Sequence, residues 1–305
     1  MFYCTSPGAF INTVFIEKFL NDRKLTITRM AGKDAAQRVK GYGTIGEVMY
    51  LTAAIGLRLS ALPVIGRVVD LIASGRRLKV VTVPVGTIFY RSPAVLHIDA
   101  AKQLVESSSY IVRTNTCMCR ESKHCKEYPV DLGCLFLGDG ARKMSLHGRV
   151  QPVTKEEALA HLDRASELGL ITNVIWSSLE LTALGVDPGH TVELCSCCPC
   201  CCLAFKTRNA SLAFLDGIAG FGVSHVLDKD DCTRCTNCVS ACPFRAIQVD
   251  LRDGPSVDER RCKGCGRCVA VCGPAALKIV PFEYVKSSTP LPGTLYLEEF
   301  LEKVR

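Results

Sequence analysis

The sequence has no secretory signature: between Met1 and Asn21 there is neither a basic n-region nor an uninterrupted apolar stretch ending at a small-residue cleavage site. It also lacks the patterns by which many catalytic chains reveal their chemistry. No Ser–His–Asp constellation, Cys–His nucleophile or Walker loop stands out, and Glu127, Asp131 and Asp139 show no carboxylate pairing. The string Gly41-x-Gly43-x-x-Gly46 matches a dinucleotide fingerprint in letters only. Residues 31–40 before it are charged and helix-like where a hydrophobic strand is required, and the acidic partner, Asp70, comes too late and inside an apolar helix. Flavin and NAD binding are therefore disfavoured, and no catalytic residue is assigned.

Nor is there a charge pattern that singles out nucleic acid. The net charge of +7 sits entirely in residues 1–80, which hold 12 Lys+Arg and 5 Asp+Glu, while the remaining 225 residues balance at 25 against 25. No zinc-finger, RNP or Arg/Lys-aromatic pattern accompanies the excess; an acidic protein surface, anionic lipid or a plain solvated face accounts for it equally well. The same region contains a long apolar run, Val48–Ser74, interrupted by Arg58, Pro63, Arg67 and Asp70. Charges at mid-span are costly, and Pro63 divides the run into two helices shorter than a bilayer needs. Packing into a core is the first expectation for these helices. The other is a surface that docks a partner or makes peripheral membrane contact through residues 48–74.

A chain of 305 residues buries a sizeable core without staples. After Gly75-Arg76-Arg77, the β-branched segment Leu78–Tyr90 predicts strands, and His97–Ile111 reads as helical. Thr154 with Glu157 three residues on forms a capping box that opens an amphipathic helix, with Leu159, Leu162, Ala165 and Leu168 inward and Gly169 as its stop. Strands are expected over Leu170–Trp176 and His190–Leu194, the second leading straight into cysteines. The expected class is α+β: a basic, apolar helical region over 1–80, a cysteine-rich domain over 81–222, a smaller module over 223–283 and a tail over 284–305.

Cysteine is what the sequence has in excess. The 19 residues fall in runs spaced by one or two positions, which suits metal ligation by reduced thiols rather than a dispersed disulfide framework. A cytoplasmic, reducing and oxygen-poor setting is the expectation, at the cytoplasmic face of a membrane if residues 48–74 lie on one. One pattern occurs twice: Cys232-x2-Cys235-x2-Cys238-x3-Cys242-Pro243, then Cys262-x2-Cys265-x2-Cys268-x3-Cys272-Gly273-Pro274. Zinc sites also use paired C-x2-C loops, but this run occurring twice is an iron–sulfur signature, because each short loop wraps one cluster edge with its N–H groups toward sulfur.

Here the sequence resembles the bacterial-type two-cluster [4Fe–4S] ferredoxins over about residues 224–281, with all eight ligand positions matched. The resemblance implies that Cys232, Cys235, Cys238 and Cys272 hold one cluster and that Cys262, Cys265, Cys268 and Cys242 hold the other, the fourth cysteine of each run reaching across. Short strands at Ser224–Leu227, Ile247–Leu251 and Ala276–Val280 and a hairpin turn at Asp253-Gly254 are expected around them.

Ten more thiols lie upstream, Cys117, Cys119, Cys125 and Cys134 within 18 residues and Cys195, Cys197, Cys198, Cys200, Cys201 and Cys202 within eight. Neighbouring cysteines point to opposite sides of an extended chain, so the second run can serve two centres. Not every member can bind; all but Cys202 are taken as candidate ligands, and Cys4 is read as an inert buried thiol. His124 and His147 are left out. Arg120, Lys123 and Lys126 are expected to offset cluster charge. A TCxCR segment and a CxCCxCC segment ahead of a two-cluster tail resemble cysteine-rich iron–sulfur proteins of anaerobic microbes, over about Tyr110–Pro281. That resemblance implies one or two additional clusters and carries no activity with it. The leading expectation is an electron-transfer protein working with a partner oxidoreductase or redox carrier. The alternatives are a reductase or activating enzyme with an open-site cluster, and a cluster carrier or assembly scaffold.

Overall fold

The computed structural model describes residues 41–72, 78–83, 98–144, 148–209, 215, 218–220, 222–281 and 300–304. Cys4, His147, most of the basic excess, the end of the expected strand at Tyr90 and most of the C-terminal tail lie outside the described residues. The chain is α+β. Its helices in order are α1 (Gly43–Leu59), α2 (Pro63–Ile72), α3 (Ile98–Ser107), α4 (Met118–Ser122), α5 (Lys155–Glu167), α6 (Ser178–Ala183), α7 (Asn237–Ala241) and α8 (Arg267–Ala270).

Pro63 separates α1 from α2 as its chemistry requires, its fixed φ and missing N–H being harmless only in a first turn. The expectation that these helices are core is corrected. Ile45, Val48, Leu51, Val64 and Val68 are each more than half exposed. Apolar residues run all round α1, and only its side carrying Gly46 and Tyr50 is buried, packed on α4 and the turn after the second cysteine run; α2 has one apolar side, opposite Arg67. Among the described residues no helix is long and apolar enough to cross a membrane.

The main sheet has seven strands in the order β4-β2-β3-β6-β5-β1-β7: β1 (Leu78–Val83), β2 (Ile111–Thr114), β3 (Leu135–Leu137), β4 (Val150–Pro152), β5 (Ile171–Ser177), β6 (Val192–Cys197) and β7 (Ile218–Gly220). Every pairing is antiparallel except β1 with β7. Helices α3 and α5 cover one face, where Leu104 and Leu162 meet Leu135, Val174, Val192 and Leu194 in a single core. Helix α5 begins at the expected capping box, Thr154 Oγ1 accepting from Glu157 N and Glu157 Oε2 from Thr154 N. It ends at Gly169, whose φ of +68° favours glycine. Leu168 is exposed rather than inward; Ala158 and His161 take the buried positions, because the apolar stripe of this helix turns away one residue earlier than the leucine spacing suggests.

Strand β6 decides where the chemistry sits. It starts two residues later than expected and runs through Cys197, so the strand period of two sends Val192 and Leu194 to the helical core and Glu193, Cys195 and Cys197 to the opposite face. Opposite them on β5 lie Ile175, Asn173 and Ile171, in register with Glu193, Cys195 and Cys197. Beyond β7 the chain passes at once into the C-terminal module, where β8 (Gly222–Val226) pairs with β11 (Leu277–Pro281), and β9 (Ile247–Asp250) forms a hairpin with β10 (Gly254–Val257). Strand β10 is the return strand of the hairpin expected at Asp253-Gly254, formed despite a glycine and a proline among its four residues. The module meets the rest of the chain at Arg267, which donates from Nη1 to the carbonyl of Gly169, just past α5, at 2.7 Å.

Candidate metal centres

The duplicated runs fold as duplicates. Arg234, Thr236 and Arg245 in the first, and Gly264, Gly266 and Ala275 in the second, all have φ between +55° and +79°, at matching distances from their cysteines. Left-handed residues inside so short a loop turn backbone N–H groups inward. Arg234 N lies 3.4 Å from Cys232 Sγ, Ala246 N 3.3 Å from Cys242 Sγ and Ser224 N 3.2 Å from Cys262 Sγ. Cys232, Cys235, Cys238 and Cys272 line one cavity, and Cys242, Cys262, Cys265 and Cys268 line another. Four thiols around each cavity, with amide donors on sulfur, fit the donor set of a [4Fe–4S] cluster.

The two sets differ in depth. Cys235 of the first is exposed, whereas Cys262, Cys265 and Cys268 of the second are buried. Burial pushes the Cys268 thiol up to about 12, against the opposing Ser224 hydroxyl. The inner set also shares a hydrophobic core with Cys197 and Cys202, and Phe205 from the upstream domain meets Phe244 of the module edge to face at 5.4 Å between ring centres.

Upstream, the open face of the sheet carries a cavity of ≈ 420 Å³. Seven cysteines line it: Cys117, Cys119, Cys134, Cys195, Cys197, Cys198 and Cys202. Cys197 and Cys202 stand 2.9 Å apart, and Leu203 N points at Cys119 Sγ from 3.4 Å. Cys134 Sγ is 3.0 Å from Cys195 Sγ, which lies 3.1 Å from Glu193 Oε1, and the three ligand atoms of Cys134, Glu193 and Cys195 come within 4.8 Å of one another. The electrostatics are those of a crowded acidic site. Burial raises the Glu193 carboxyl above its usual range, and its charge pushes Glu180, exposed at the cavity rim, up to about 8. Burial opposes ionisation of Cys197, yet hydrogen bonds from Cys195, Cys202 and Asn173 bring it down to about 7.

Cys125, Cys200 and Cys201 gather with Cys198 in a second group. The cysteine run therefore divides: Cys197 and Cys202 line the cavity, Cys200 and Cys201 stand away from it, and Cys198 sits at the wall between the two. Between the groups lies Arg120, whose side chain is fully buried and donates to the Ser196 carbonyl at 2.8 Å and to the Leu132 carbonyl. Cys117, Cys198 and Cys134 lie close enough to supply its countercharge once they are thiolates. Lys123 and Lys126, expected to share this role, are exposed.

Sequence reasoning left out Cys202 and missed Glu193 and Glu180. Glu193 was findable, since the period of a strand places it on the same side as Cys195 and Cys197; Cys202 and Glu180 reach the cavity only through tertiary folding. His124, set aside earlier, is exposed and paired with Glu47 at 3.6 Å. The glycine string at residues 41–46 opens α1, and its N-terminal amides are taken by the protein itself: Tyr42 N and Gly43 N donate to the Glu121 carboxylate at 3.0 and 2.9 Å.

Residues 224–273 match the 4Fe–4S dicluster domain family, and this part of the chain is such a domain. The chain is similar to a ferredoxin of Pyrobaculum islandicum, 40% identical over 47 residues, 15% of this chain and 44% of that protein. It is likewise similar to the pyruvate synthase subunit PorD of Methanocaldococcus jannaschii, 40% identical over 47 residues, 15% and 55% of the two chains. The methylamine utilization ferredoxin-type protein MauM of Methylobacillus flagellatus matches at 31% over 81 residues, 21% and 35%. The chain thus spans about half or less of the length of these relatives. An iron–sulfur domain of this kind serves electron transfer.

Proposed function

We propose that the chain is a multi-cluster electron-transfer protein or subunit, passing single electrons between a low-potential carrier and a partner oxidoreductase. In this reading Cys232, Cys235, Cys238 and Cys272 hold an outer [4Fe–4S] cluster and Cys262, Cys265, Cys268 and Cys242 an inner one. A further iron–sulfur centre is held by Cys117, Cys119, Cys197 and Cys202. The domain division at residues 81–222 and 223–283 separates the upstream centre from the pair.

The observation that carries this reading is the shared core. Cys262 and Cys265 pack in the same hydrophobic cluster as Cys197 and Cys202, bridged by Phe205 and Phe244, while Cys235 of the outer set opens to solvent. An exposed set, a buried set and a third thiol group in contact with it give an electron a surface entry and an interior continuation. PorD and MauM carry names of subunits or components of larger systems, which is the role proposed for this chain. The exposed apolar side of α1 and α2 supplies a face for the partner.

Iron and acid-labile sulfide counts with electron paramagnetic resonance of the anaerobically purified, reduced chain test the proposal. About twelve irons and three interacting cluster signals are expected. Fewer than about eight irons would sink the module assignment, and about eight irons with two signals would remove the upstream centre.

A second reading is favoured by one feature. Cys134, Glu193 and Cys195 offer three ligand atoms, one fewer than a closed tetrahedron, beside a cavity large enough for a small molecule. A centre held there keeps an open position, as a reductase or activating enzyme needs. A spectral change of the reduced protein on adding cyanide or carbon monoxide is the outcome that would favour it over pure electron transfer.

A further inference from the structure

Cys125, Cys198, Cys200 and Cys201 bring their four sulfurs within 4.8 Å of one another. Cys125 Sγ is 3.7 Å from Cys200 Sγ, and Cys200 Sγ is 3.6 Å from Cys201 Sγ. A single zinc ion with Zn–S bonds of about 2.3 Å in a tetrahedron sets its sulfurs about 3.8 Å apart. A four-iron cube spreads its thiolates further, since each sulfur sits outside a separate iron. Among the described residues, none of the eight module cysteines joins a group this tight. The spacing therefore sets this four-sulfur group apart from the eight module cysteines.

We propose that Cys125, Cys198, Cys200 and Cys201 bind one Zn²⁺ ion in a structural site distinct from every iron–sulfur centre of the protein. Three ligands come from the turn that follows β6, where Pro199 stiffens the backbone between Cys198 and Cys200. The fourth comes from the loop after α4, and backbone N–H groups of Glu127 and Tyr128 face its sulfur. Four thiolates close the coordination shell and leave no position for water or substrate, the mark of a structural rather than a catalytic zinc. A dication with four thiolates carries two negative charges in excess. Arg120 meets that excess from the buried side: it touches Cys198 and has no carboxylate partner among the described residues.

The site also has a use. It ties the 123–134 loop to the 198–201 turn, and these are the segments continuous with Cys117 and Cys119 on one side and Cys197 and Cys202 on the other. Zinc on this face thereby fixes the spacing of the thiols on the cavity face.

The test reads zinc and iron separately on the full chain purified anaerobically. Expected are one zinc per chain and a zinc-edge X-ray absorption spectrum with four sulfur neighbours at about 2.3 Å. Cys200→Ser, at the exposed ligand, is expected to lose most of that zinc while iron and acid-labile sulfide stay at the wild-type count. Absence of zinc from the wild type would overturn the proposal even if the variant fails to fold. So would loss of about four irons with their sulfide in Cys200→Ser, which marks a cubane ligand, or loss of one iron without sulfide, which marks a mononuclear iron site. Because zinc is counted independently, a missing upstream cluster would refute the electron path and leave this result standing.

Discussion

Arg120 is the residue on which the upstream chemistry turns. A guanidinium fully removed from solvent is tolerable only with hydrogen bonds and countercharge, and here two carbonyls supply the first and Cys117, Cys198 and Cys134, as metal-bound thiolates in the proposed centres, would supply the second. Arg120→Met leaves two thiolate groups facing each other with no cation between them. It is expected to cost on the order of 3–5 kcal/mol in anaerobic chemical denaturation, and to lower the potential of the upstream centre by leaving its charge uncompensated. Arg120→Lys keeps the charge but loses the fork, so it should restore the potential more fully than the stability. His161 makes a different residue-scale statement. On the buried side of α5, it is held down to about 4, first by desolvation and then by the nearby Arg113, and its Nε2 has no hydrogen-bond partner. The unfolded chain takes up a proton near pH 6.5 that the folded chain refuses until about pH 4. Stability from this group is therefore present above pH 6.5 and lost as pH falls toward 4, by about 3 kcal/mol in all. His161→Gln should remove that slope, which denaturation midpoints between pH 5 and 7 will show.

The elements differ in how far the sequence announced them, and the reason is range. Helix α5 was legible because its start is decided by Thr154 and Glu157 within one turn; Thr154→Ala is expected to cost about 1 kcal/mol without altering iron content. The break at Pro63 and the eight module cysteines were legible for the same reason, each being fixed over a few residues. The grouping of Cys125 with Cys198, Cys200 and Cys201 was not, since it depends on a loop and a turn brought together across the sheet. The exposure of α1 and α2 was not either, because an apolar sequence does not say whether anything covers it. The module loops allow a sharper test. Gly264 has φ of +63°, and a Cβ there would collide with the Gly222 carbonyl where β8 begins. Gly264→Ala is expected to cost the inner cluster, about four irons per chain. Gly273, with open space around its Cα, is the control: Gly273→Ala should leave the iron count unchanged.

At the scale of the whole molecule, the cysteine groups lie together on the sheet and module, and the exposed apolar face lies on α1 and α2, within a region of opposite character to the balanced remainder. Residues 1–80 hold the entire net charge of +7, and Val48 and Val64 on those helices are 61% and 78% exposed. Apolar surface gives a docked partner its lifetime and unbalanced charge its rate of encounter, so the two should fail under different treatments. Val48→Glu with Val64→Glu is expected to change stability little, as exposed substitutions do, and to keep the iron count, yet to abolish co-elution with the proposed partner oxidoreductase, read as the loss of any oxidoreductase that anaerobic purification of the wild-type chain recovers with it. Raising salt should instead slow electron exchange between the purified pair while leaving the complex recoverable. Co-elution unaffected by the double substitution would place the partner elsewhere, most plainly at the exposed Cys235 end of the module, and would recast α1 and α2 as a cover for the cavity rather than a port.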